Sequence, residues 1–480
     1  MINLEEIRLV AARVALSNTV VEKDYALGWL LWGLSQHRMT SRDWVFKGGT
    51  CLKKCYFETY RFSEDLDFSY RGNDEPTADS LVQIMSEVSD LVLNEAGLEF
   101  PKSSIQFEIF QNQRGSVSIQ GGIKYRGPVR PQVGLKQMPR IKIDLTLDEP
   151  LVLPPVLKSV DHPYSDKPDG GISILSYAYE EVFAEKVRAL SQRLRPRDLY
   201  DVVHLHRRLD LNPDREKVYK TLVSKCRLRG INVPTMESLE THDNRSFLES
   251  EWENQLSHQI PVLPNFQSFL SELPGVLSWL LGEQSDELQT VSIPMEGDEI
   301  EVQVLEVETL VHSRPANVFM DRIRFAAANR LLVRLGYNGS QRDIEPYALA
   351  RSSEGALLIQ AIRHQDGQSR SYRFDRIETV QVLEQSFTPR YAIEITSAGI
   401  LPVHQLKFDG FGEDRDHTSR RRVSSKKDLT KRSGPIYLYR CLVCRKEFRK
   451  KTNESHLNAH KNNSGYECHG RTGIYLKTLY

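Results

Sequence analysis

Apolar and polar positions alternate in two segments of the first third of the chain. In residues 65–68, Leu66 and Phe68 alternate with two aspartates, and residues 140–146 alternate in the same way. Because successive side chains of a strand point to opposite faces, each segment predicts a strand with one buried face and one polar face. The polar faces carry three carboxylates, and these are Asp65, Asp67 and Asp144.

Helical spacing follows further along the chain. Residues 178–194 carry apolar side chains at intervals of three and four, which predicts a helix with Lys186 on or near its polar side. Pro196 suits the first turn of a new helix, in which Arg197 and Asp198 are close enough for an ion pair. Residues 205–282 are also helical in pattern and predict a lobe that completes the first domain.

The middle of the chain changes to a β pattern. Residues 297–395 contain alternating segments at 301–307, 356–362, 379–383 and 391–395, which predict strands. One helix is predicted over residues 320–335, ended by the turn residues 336–339. We therefore predict a small, strongly curved β-sheet in this part.

The three aspartates predict a cation site. Like charges that lie close together raise each other's proton affinity, and hard carboxylate oxygens suit Mg²⁺ or Mn²⁺. Gly48 and Gly49 lack side chains, so backbone amides and the Thr50 hydroxyl there can approach a phosphate. The combination indicates phosphoryl chemistry, although alternating acids on a surface strand are common without a metal.

These motifs resemble those of the AbiEii/AbiGii-type nucleotidyltransferase toxins, members of the DNA polymerase β-like nucleotidyltransferase superfamily. The resemblance covers about the first 285 residues in order. It rests on residues 21–25, 47–50, 61–68, 142–144, 185–186 and 197–201. Many family members carry Gly-Ser where this chain has Gly49-Thr50, a departure that keeps the hydroxyl.

The resemblance implies transfer of a nucleoside monophosphate from a nucleoside triphosphate to an acceptor hydroxyl. Asp65 and Asp67 would bridge two Mg²⁺ ions, Asp144 would bind the ion nearest the acceptor, and Lys186 would bind phosphate. A solvated helix face is the alternative for Lys186. The residues expected to bind or support the nucleotide are Lys47, Gly48, Gly49, Thr50, Ser63, Arg197 and Asp201.

The β-rich middle part resembles the WYL domain, an SH3- or Sm-like fold of bacterial regulators and defence proteins. The residues that carry the resemblance are 342–349, 357–362, 370–377 and Phe387, although the Trp-Tyr-Leu signature itself is absent. The resemblance implies a nucleotide or nucleic-acid ligand facing Arg351, Arg363, Arg373 and Arg376. Surface arginines in strand pairs are the alternative.

Composition adds a charge asymmetry to this outline. The chain of 480 residues is neutral, but residues 415–480 hold 17 lysines and arginines against 5 acids, so residues 1–414 carry a charge of −12. Such a basic end favours a polyanionic partner, RNA or DNA. The absence of an 18-residue apolar run and of a signal pattern, with few cysteines, predicts a cytoplasmic protein without a membrane partner.

Three of the six cysteines lie in the last 40 residues and predict a zinc knuckle. The expected ligands are Cys441, Cys444, His460 and Cys468, with His456 as an alternative ligand. A closed shell of four ligands makes this Zn²⁺ structural.

We therefore predict an α+β multidomain protein. A polymerase β-like mixed sheet with a helical lobe (1–285) precedes a WYL-like β-barrel (297–395), a basic flexible linker (412–436) and a zinc knuckle (437–480). We predict that the protein is a nucleotidyltransferase toxin that modifies an RNA and acts in toxin–antitoxin or abortive-infection phage defence. A tRNA 3′ end is the first candidate for the acceptor. An antitoxin protein is an expected partner, and the WYL-like domain is expected to regulate activity. The alternative is a non-catalytic regulatory protein that senses nucleotides or nucleic acid through the WYL-like domain and knuckle.

Overall fold

A computed structural model describes most of the chain. The described residues are 1–57, 59–111, 117–208, 211–283, 314–352, 356–395, 436–441, 446–450, 460–461, 467–468 and 473–479. The chain divides into two compact units, Met1–Asp409 and Gly410–Tyr480. The predicted strand at 301–307, the predicted linker up to residue 435, and Cys444 and His456 lie outside the described residues.

A seven-stranded mixed sheet forms the centre of the first unit. Its strands are β1 (Trp44–Lys47), β2 (Asp65–Tyr70), β3 (Gln106–Gln111), β4 (Val117–Lys124), β5 (Arg140–Thr146), β6 (Val156–Ser159) and β7 (Ser173–Ser176). The spatial order is β3-β4-β5-β2-β1-β7-β6, so β2 is the central strand. It runs antiparallel to β1 and parallel to β5. The two acidic segments therefore become neighbouring strands in the middle of the sheet.

Alternation fixes which face of these strands is buried. Leu66 and Phe68 of β2 and Ile143 of β5 are fully buried, while the aspartates between them are only partly covered. A helix of nineteen residues that begins after the N-cap Ser17 packs its apolar side chains into this same core. Burial on one face sets the register of the strands and holds the acidic positions on the other face.

Thirteen helices accompany this sheet in the described part of residues 1–285, which we call the head. They are α1 (Leu4–Val14), α2 (Asn18–Gln36), α3 (Thr40–Asp43), α4 (Gly48–Cys51, continued by a π turn over Leu52–Tyr56), α5 (Ala78–Ala96), α6 (Tyr179–Arg193), α7 (Pro196–Arg207), α8 (Arg215–Arg229), α9 (Met236–Glu240), α10 (Arg245–Ser250), α11 (Trp252–Leu256), α12 (Phe266–Leu270) and α13 (Leu273–Leu281). The helices predicted at 178–194 and from Pro196 are present as α6 and α7. The helical lobe predicted for 205–282 is also present.

The second sheet of the first unit is antiparallel and follows a helix. Its elements are α14 (Arg314–Asn329), β8 (Leu331–Tyr337), β9 (Ser340–Arg351), β10 (Leu357–Arg363), β11 (Ser369–Arg373) and β12 (Ile377–Ser386). The strand order is β11-β10-β9-β8-β12. A short 3-10 turn over Phe374–Arg376 leads β11 into β12, which crosses to the opposite edge. Within the described residues no pairing joins these two edges, so the predicted closed SH3- or Sm-like barrel is not confirmed.

Two predicted elements of this sheet were wrong. The helix predicted over 320–335 ends at Asn329, and residues 331–335 belong to strand β8. Asn338 and Gly339 both have positive φ, and they join β8 to β9 in a two-residue hairpin turn rather than ending a helix. The strand predicted at 391–395 is absent, because the amides of Glu394 and Ile395 both donate to the Tyr347 carbonyl outside any ladder.

The second unit contains two small sheets in its described residues. Strands β13 (Ile436–Cys441), β14 (Glu447–Lys450) and β17 (Gly473–Leu479) form one sheet in the order β14-β13-β17. Strands β15 (His460–Lys461) and β16 (Glu467–Cys468) form the other. The Cys441 amide, at the end of β13, donates to the carbonyl of Lys446, which immediately precedes β14.

Within the described residues, the helices are all too short or too polar to cross a membrane.

Candidate active site

Asp67 and Asp144 are direct neighbours on parallel strands. In the register of β2 and β5, Asp67 lies beside Asp144 and Asp65 lies beside Lys142. The pair between them is apolar and buried on the other face, so the three aspartates project from one face of the sheet. The carboxylate oxygens of the three aspartates do not all lie within 4.8 Å of one another. Among the described residues, the group whose ligand atoms do so is Cys441, His460 and Cys468. Repulsion between carboxylates accounts for the wider spacing of the aspartates.

Burial and repulsion between carboxylates raise the pKa values of Asp67 and Asp144. Burial, followed by the charges of Asp67 and Asp65, raises the pKa of Asp144 to about 6. Burial also raises the pKa of Asp67, while Lys47 and Lys186 oppose that rise. A site that holds partly buried carboxylates at the cost of raised pKa values fits a divalent cation, which would compensate their charge.

The glycine turn packs directly against Asp67. Gly48 has φ +82°, and a Cβ there would lie 2.1 Å from Asp67 Oδ2. A Cβ on Gly49 would lie 2.6 Å from Arg61 Nη2 and 3.2 Å from Ser63 Oγ. Both glycines are therefore required by close approach, at the start of helix α4. Gly48, Gly49 and Ser63 therefore lie close to one another beside the acidic strand, and their binding of a nucleotide stays a prediction.

The Thr50 hydroxyl is already engaged in the fold. It donates to the backbone carbonyl of Asp65 and the residue is buried. This bond joins α4 to the first residue of the acidic strand. Thr50 thus positions the strand in this structure, and its predicted contact with a phosphate stays a prediction.

Lys47 is held by a carboxylate that the sequence did not reveal. Its ammonium pairs with Glu149 and donates to Thr146 Oγ1 at 3.1 Å. Glu149 also lies 3.4 Å from Lys225 Nζ, which is 3.0 Å from Glu181. Burial opposes ionisation of Glu149, but Lys47 and Lys225 outweigh it and hold its pKa well below the usual range. The partners lie on separate elements and gave no local signal in the sequence.

Asp201 gathers two buried cations next to the acidic strands. The Arg61 guanidinium donates to both carboxylate oxygens at 2.7 and 2.8 Å, and Lys186 Nζ lies 2.7 Å from Oδ2. Tyr60 donates its hydroxyl to the same carboxylate. Burial disfavours the charge of Asp201, but Arg61 and Lys186 hold its pKa well below the usual range. Lys186 is consequently a buried, paired cation and does not lie on a solvated helix face.

The predicted ion pair between Arg197 and Asp198 is replaced by other contacts. Asp198 accepts two hydrogen bonds from Arg193, at 2.6 and 2.7 Å. The Arg197 Nε donates to the Gln255 carbonyl at 3.3 Å, and burial together with the nearby Arg61 lowers the Arg197 pKa. Helix α7 directs Asp198 back toward α6, which explains the exchange of partners.

A family model covers the part of the chain that builds this site. Residues 30–272, half of the chain, match the model of the nucleotidyl transferase AbiEii toxin of type IV toxin–antitoxin systems. The chain belongs to the AbiEii nucleotidyltransferase toxin family. Residues 318–382 match the WYL domain, which confirms the second resemblance.

One solved structure shows a limited similarity to this chain. MenT4, a nucleotidyltransferase toxin from Mycobacterium tuberculosis, is 20% identical, with an alignment that covers 60% of this chain and 92% of MenT4 at a TM-score of 0.41. A score this low does not establish a shared fold. No curated protein matches the chain.

The first motif of the AbiEii head, residues 21–25, mainly makes contacts that stabilise the fold. Asp24 accepts from Lys54 Nζ at 2.7 Å and from the Tyr164 hydroxyl at 2.9 Å, all in buried surroundings. Glu22 accepts from the Val129 amide. Lys23 pairs with Glu64 at 2.8 Å, one residue before the acidic strand. These contacts tie α2 to the elements around the site.

Two of the four arginines expected to face a ligand of the WYL domain form local ion pairs. Arg363 pairs with Asp366, and Arg373 lies 2.9 Å from Asp375. Arg376 is exposed, and the side chain of Arg351 lies outside the described part. The ligand-binding role of these residues stays a prediction.

Three of the expected tail ligands come together. Cys441, His460 and Cys468 each offer one ligand atom within 4.8 Å of the others, and the two sulfurs are 3.8 Å apart. His460 and Cys468 face each other across β15 and β16. Two thiolates bound to one tetrahedral Zn²⁺, with Zn–S of about 2.3 Å, lie roughly 3.8 Å apart, so the donor set fits zinc.

Proposed function

We propose that this AbiEii family member transfers a nucleoside monophosphate from a nucleoside triphosphate to a hydroxyl of RNA. The observation that carries the proposal is the pair Asp67 and Asp144, neighbours on parallel strands with raised pKa values and with Gly48 packed closely against Asp67. Carboxylates held in this way serve a reaction in which phosphate oxygens approach a cation.

Asp65, Asp67 and Asp144 are the residues that would hold Mg²⁺ or Mn²⁺. When bound, two such ions would neutralise the triphosphate and favour ionisation of the attacking hydroxyl. The side chains would close on the ions by rotation, since their oxygens lie further apart than a shared ligand shell requires. Asp144, which the resemblance places nearest the acceptor, is proposed to accept the hydroxyl proton.

Backbone and cations of the chain would hold the nucleotide. Gly48 and Gly49 are proposed to bring backbone amides close to a phosphate beside Asp67, since a side chain at either position would collide with Asp67 or Arg61. Lys186 and Arg61, oriented by Asp201, place positive charge beside the same strands. Lys47 provides a positive charge that opposes the rise in the pKa values of Asp67 and Asp144. Glu149 fixes the position of the Lys47 ammonium.

The acceptor is proposed to be RNA, with a tRNA 3′ end as the first candidate. The basic residues 415–480, 17 cations against 5 acids, support a polyanionic partner. Transfer to such an RNA would arrest growth, and the toxin–antitoxin family supports an antitoxin protein as the cognate partner. Activity in phage defence and regulation by the WYL domain complete the proposal.

The tail is proposed to carry one structural Zn²⁺ on Cys441, His460, Cys468 and Cys444. Among described side chains of residues 436–480, Cys441 and Cys468 are the buried ones, so a metal would supply the core that so short a segment lacks. Metal content of the full chain tests this. One zinc per chain is expected, with loss in Cys468→Ser and retention in His456→Asn. A zinc-free wild type, or loss only in His456→Asn, would contradict the ligand set.

Nucleotidyl transfer is tested with the purified full chain, Mg²⁺, each α-labelled nucleoside triphosphate in turn and total bacterial RNA. We expect label in RNA with the wild type and none with Asp67→Asn. Asp90→Asn is the matched control, because Asp90 is an exposed aspartate on α5 whose ion pair, among the described residues, is with the exposed Lys102. No label under any condition would favour the non-catalytic regulatory protein that binds nucleotides or nucleic acid.

A further inference from the structure

The last residue of α14 connects the WYL domain to the AbiEii head. Asn329 is fully buried, and its Oδ1 accepts from the Tyr200 hydroxyl at 3.0 Å and lies 3.2 Å from His204 Nε2. Its Nδ2 donates to the Phe325 carbonyl at 2.9 Å, which fixes the orientation of the amide. His204 must therefore carry its proton on Nε2 to make this contact, since Oδ1 can only accept.

Neighbouring residues strengthen the same junction. Arg207 donates to the Ala328 carbonyl at 2.8 Å and pairs with Glu272 at 2.7 Å. Arg330, with φ +55°, also lies 2.7 Å from Glu272. The Arg330 carbonyl accepts from the Phe387 amide of the WYL domain. Ala328 and Asn329 thus contact α7 directly, and Arg330 is linked to it through Glu272, which Arg207 also binds.

Helix α7 carries the junction and the site on one rigid element. Tyr200 and His204 flank Asp201, whose carboxylate holds Arg61 and Lys186 beside the acidic strands. The Tyr60 ring, whose hydroxyl donates to Asp201, packs 5.8 Å from Tyr200 and 5.7 Å from His204. A shift of α7 at the Asn329 contact would therefore move the carboxylate that orients both cations.

We propose that Asn329 is a positioning residue for the transfer site, and that the WYL domain sets transfer activity through the contact of Asn329 with α7. This inference rests on the proposed function, because it concerns the same aspartates and cations. Asn329 touches no reacting atom and acts through Tyr200, His204 and Asp201. Deletion of the WYL domain is a poor test, because its buried side chains share a core with those of α7.

Point variants of the full chain test the proposal. Asn329→Ala removes the acceptor, and Tyr200→Phe is a milder variant that removes only one hydroxyl. Tyr347→Phe is the matched control, because Tyr347 is a fully buried tyrosine of the WYL domain whose hydroxyl contacts Glu345 and Arg390 and not α7. We expect Asn329→Ala to lower kcat about tenfold with a nearly unchanged KM for the nucleotide, since misplacement of cations affects the transition state most.

The double variant and the control decide the outcome. Asn329→Ala combined with Tyr200→Phe should lower kcat no further than Asn329→Ala alone, because Asn329→Ala already removes the hydrogen bond that Tyr200→Phe would remove. Tyr347→Phe should keep the kcat of the wild type well below its melting temperature. Equal effects of Asn329→Ala and Tyr347→Phe, or multiplied effects in the double variant, would overturn the proposal.

Hydrogen exchange separates this inference from the transfer activity itself. In Asn329→Ala we expect faster amide exchange in α7 and in residues 61–69 than in Tyr347→Phe, measured where both are folded. A wild type without transfer activity would sink the proposed function, while this exchange pattern would still support the coupling. Unchanged exchange in both segments would overturn the coupling whatever the activity.

Discussion

Lys186 Nζ lies 2.7 Å from Asp201 Oδ2, so the cation expected to meet phosphate is bound to a carboxylate in the fold. Arg61 shares the same carboxylate, which therefore compensates two buried cations. Removing the anion leaves Arg61 with the neutral Gln259 Oε1 at 3.0 Å and Lys186 with Asp198 at 3.8 Å. Removing Lys186 leaves Asp201 paired with Arg61. The two substitutions should consequently differ in their effect on stability.

We predict that Asp201→Asn lowers the free energy of unfolding by about 3–5 kcal/mol, more than Lys186→Met does. Because the pKa of Asp201 is lowered in the fold, its stabilising contribution is present above the unfolded pKa of about 4 and disappears as pH falls further. Urea unfolding at neutral pH measures the difference. A larger loss in Lys186→Met would show that Asp201 is not the centre of this cluster.

The pKa of Asp144, raised to about 6, predicts a pH effect of opposite sign. A raised carboxyl pKa means that the fold binds a proton that the unfolded chain has released, so stability without divalent cations falls as pH rises from about 4 to 6. Asp144→Asn should therefore stabilise the metal-free protein at pH 8 by roughly 1–2 kcal/mol. The melting temperature of both proteins at pH 5 and 8 tests this, and an equal difference at both pH values would contradict it.

Binding of Mg²⁺ should offset the loss of stability caused by ionised Asp144, and it should do so only at pH values at which Asp144 is ionised. We predict that Mg²⁺ raises the melting temperature of the wild type at pH 8 and that the increment shrinks as pH falls through about 6, because protons compete for the same oxygens. Asp144→Asn should show a smaller increment throughout. An increment independent of pH would place the cation elsewhere.

Local patterns predicted the acidic strands because alternation is a property of neighbouring residues. Asp65, Asp67 and Asp144 needed only a buried opposite face, which Leu66 and Phe68 supplied. The partners of Lys47 and Arg61 were not predictable in this way, since Glu149 is 102 residues away and Asp201 is 140 residues away. Such pairs are set by tertiary packing, which no period in the sequence records.

The wrong end of the helix before β8 has a different cause. Residues 331–335 are apolar except for Arg334, and a short apolar run does not separate helix from strand. Asn338-Gly339 decides the matter, because it is the strongest two-residue hairpin signal and here connects β8 to β9 with positive φ at both positions. A hairpin turn at Asn338-Gly339 requires a strand on each side, so it predicts strand β8 for residues 331–337.

Gly48→Ala should strongly reduce transfer. A Cβ would lie 2.1 Å from Asp67 Oδ2 and the residue has φ +82°, so the carboxylate or the turn must shift. We expect a loss of about 100-fold in kcat, with a stability cost of roughly 1–2 kcal/mol. Gly170→Ala is the control, because nothing lies within 4 Å of its Cβ position and it should keep full activity. A Gly48→Ala enzyme as active as the control would remove Asp67 from the site.

The buried pair of Lys47 and Glu149 should contribute far more to stability than an exposed one. Glu149 is 9% exposed and lies between Lys47 and Lys225, so Glu149→Gln leaves Lys47 without its carboxylate. We expect the free energy of unfolding to fall by about 3–5 kcal/mol. Asp90→Asn, which breaks the exposed pair with Lys102, should cost no more than about 1 kcal/mol.

Activity gives the second readout for Glu149→Gln. Lys47 freed from Glu149 would act more strongly on Asp67 and Asp144, whose pKa values it already lowers, so the acidic limb of the pH–rate profile should move to lower pH. Urea unfolding and a pH–rate profile of both variants measure these effects. If Glu149→Gln and Asp90→Asn cost the same stability and leave the profile in place, Glu149 does not hold Lys47 in solution.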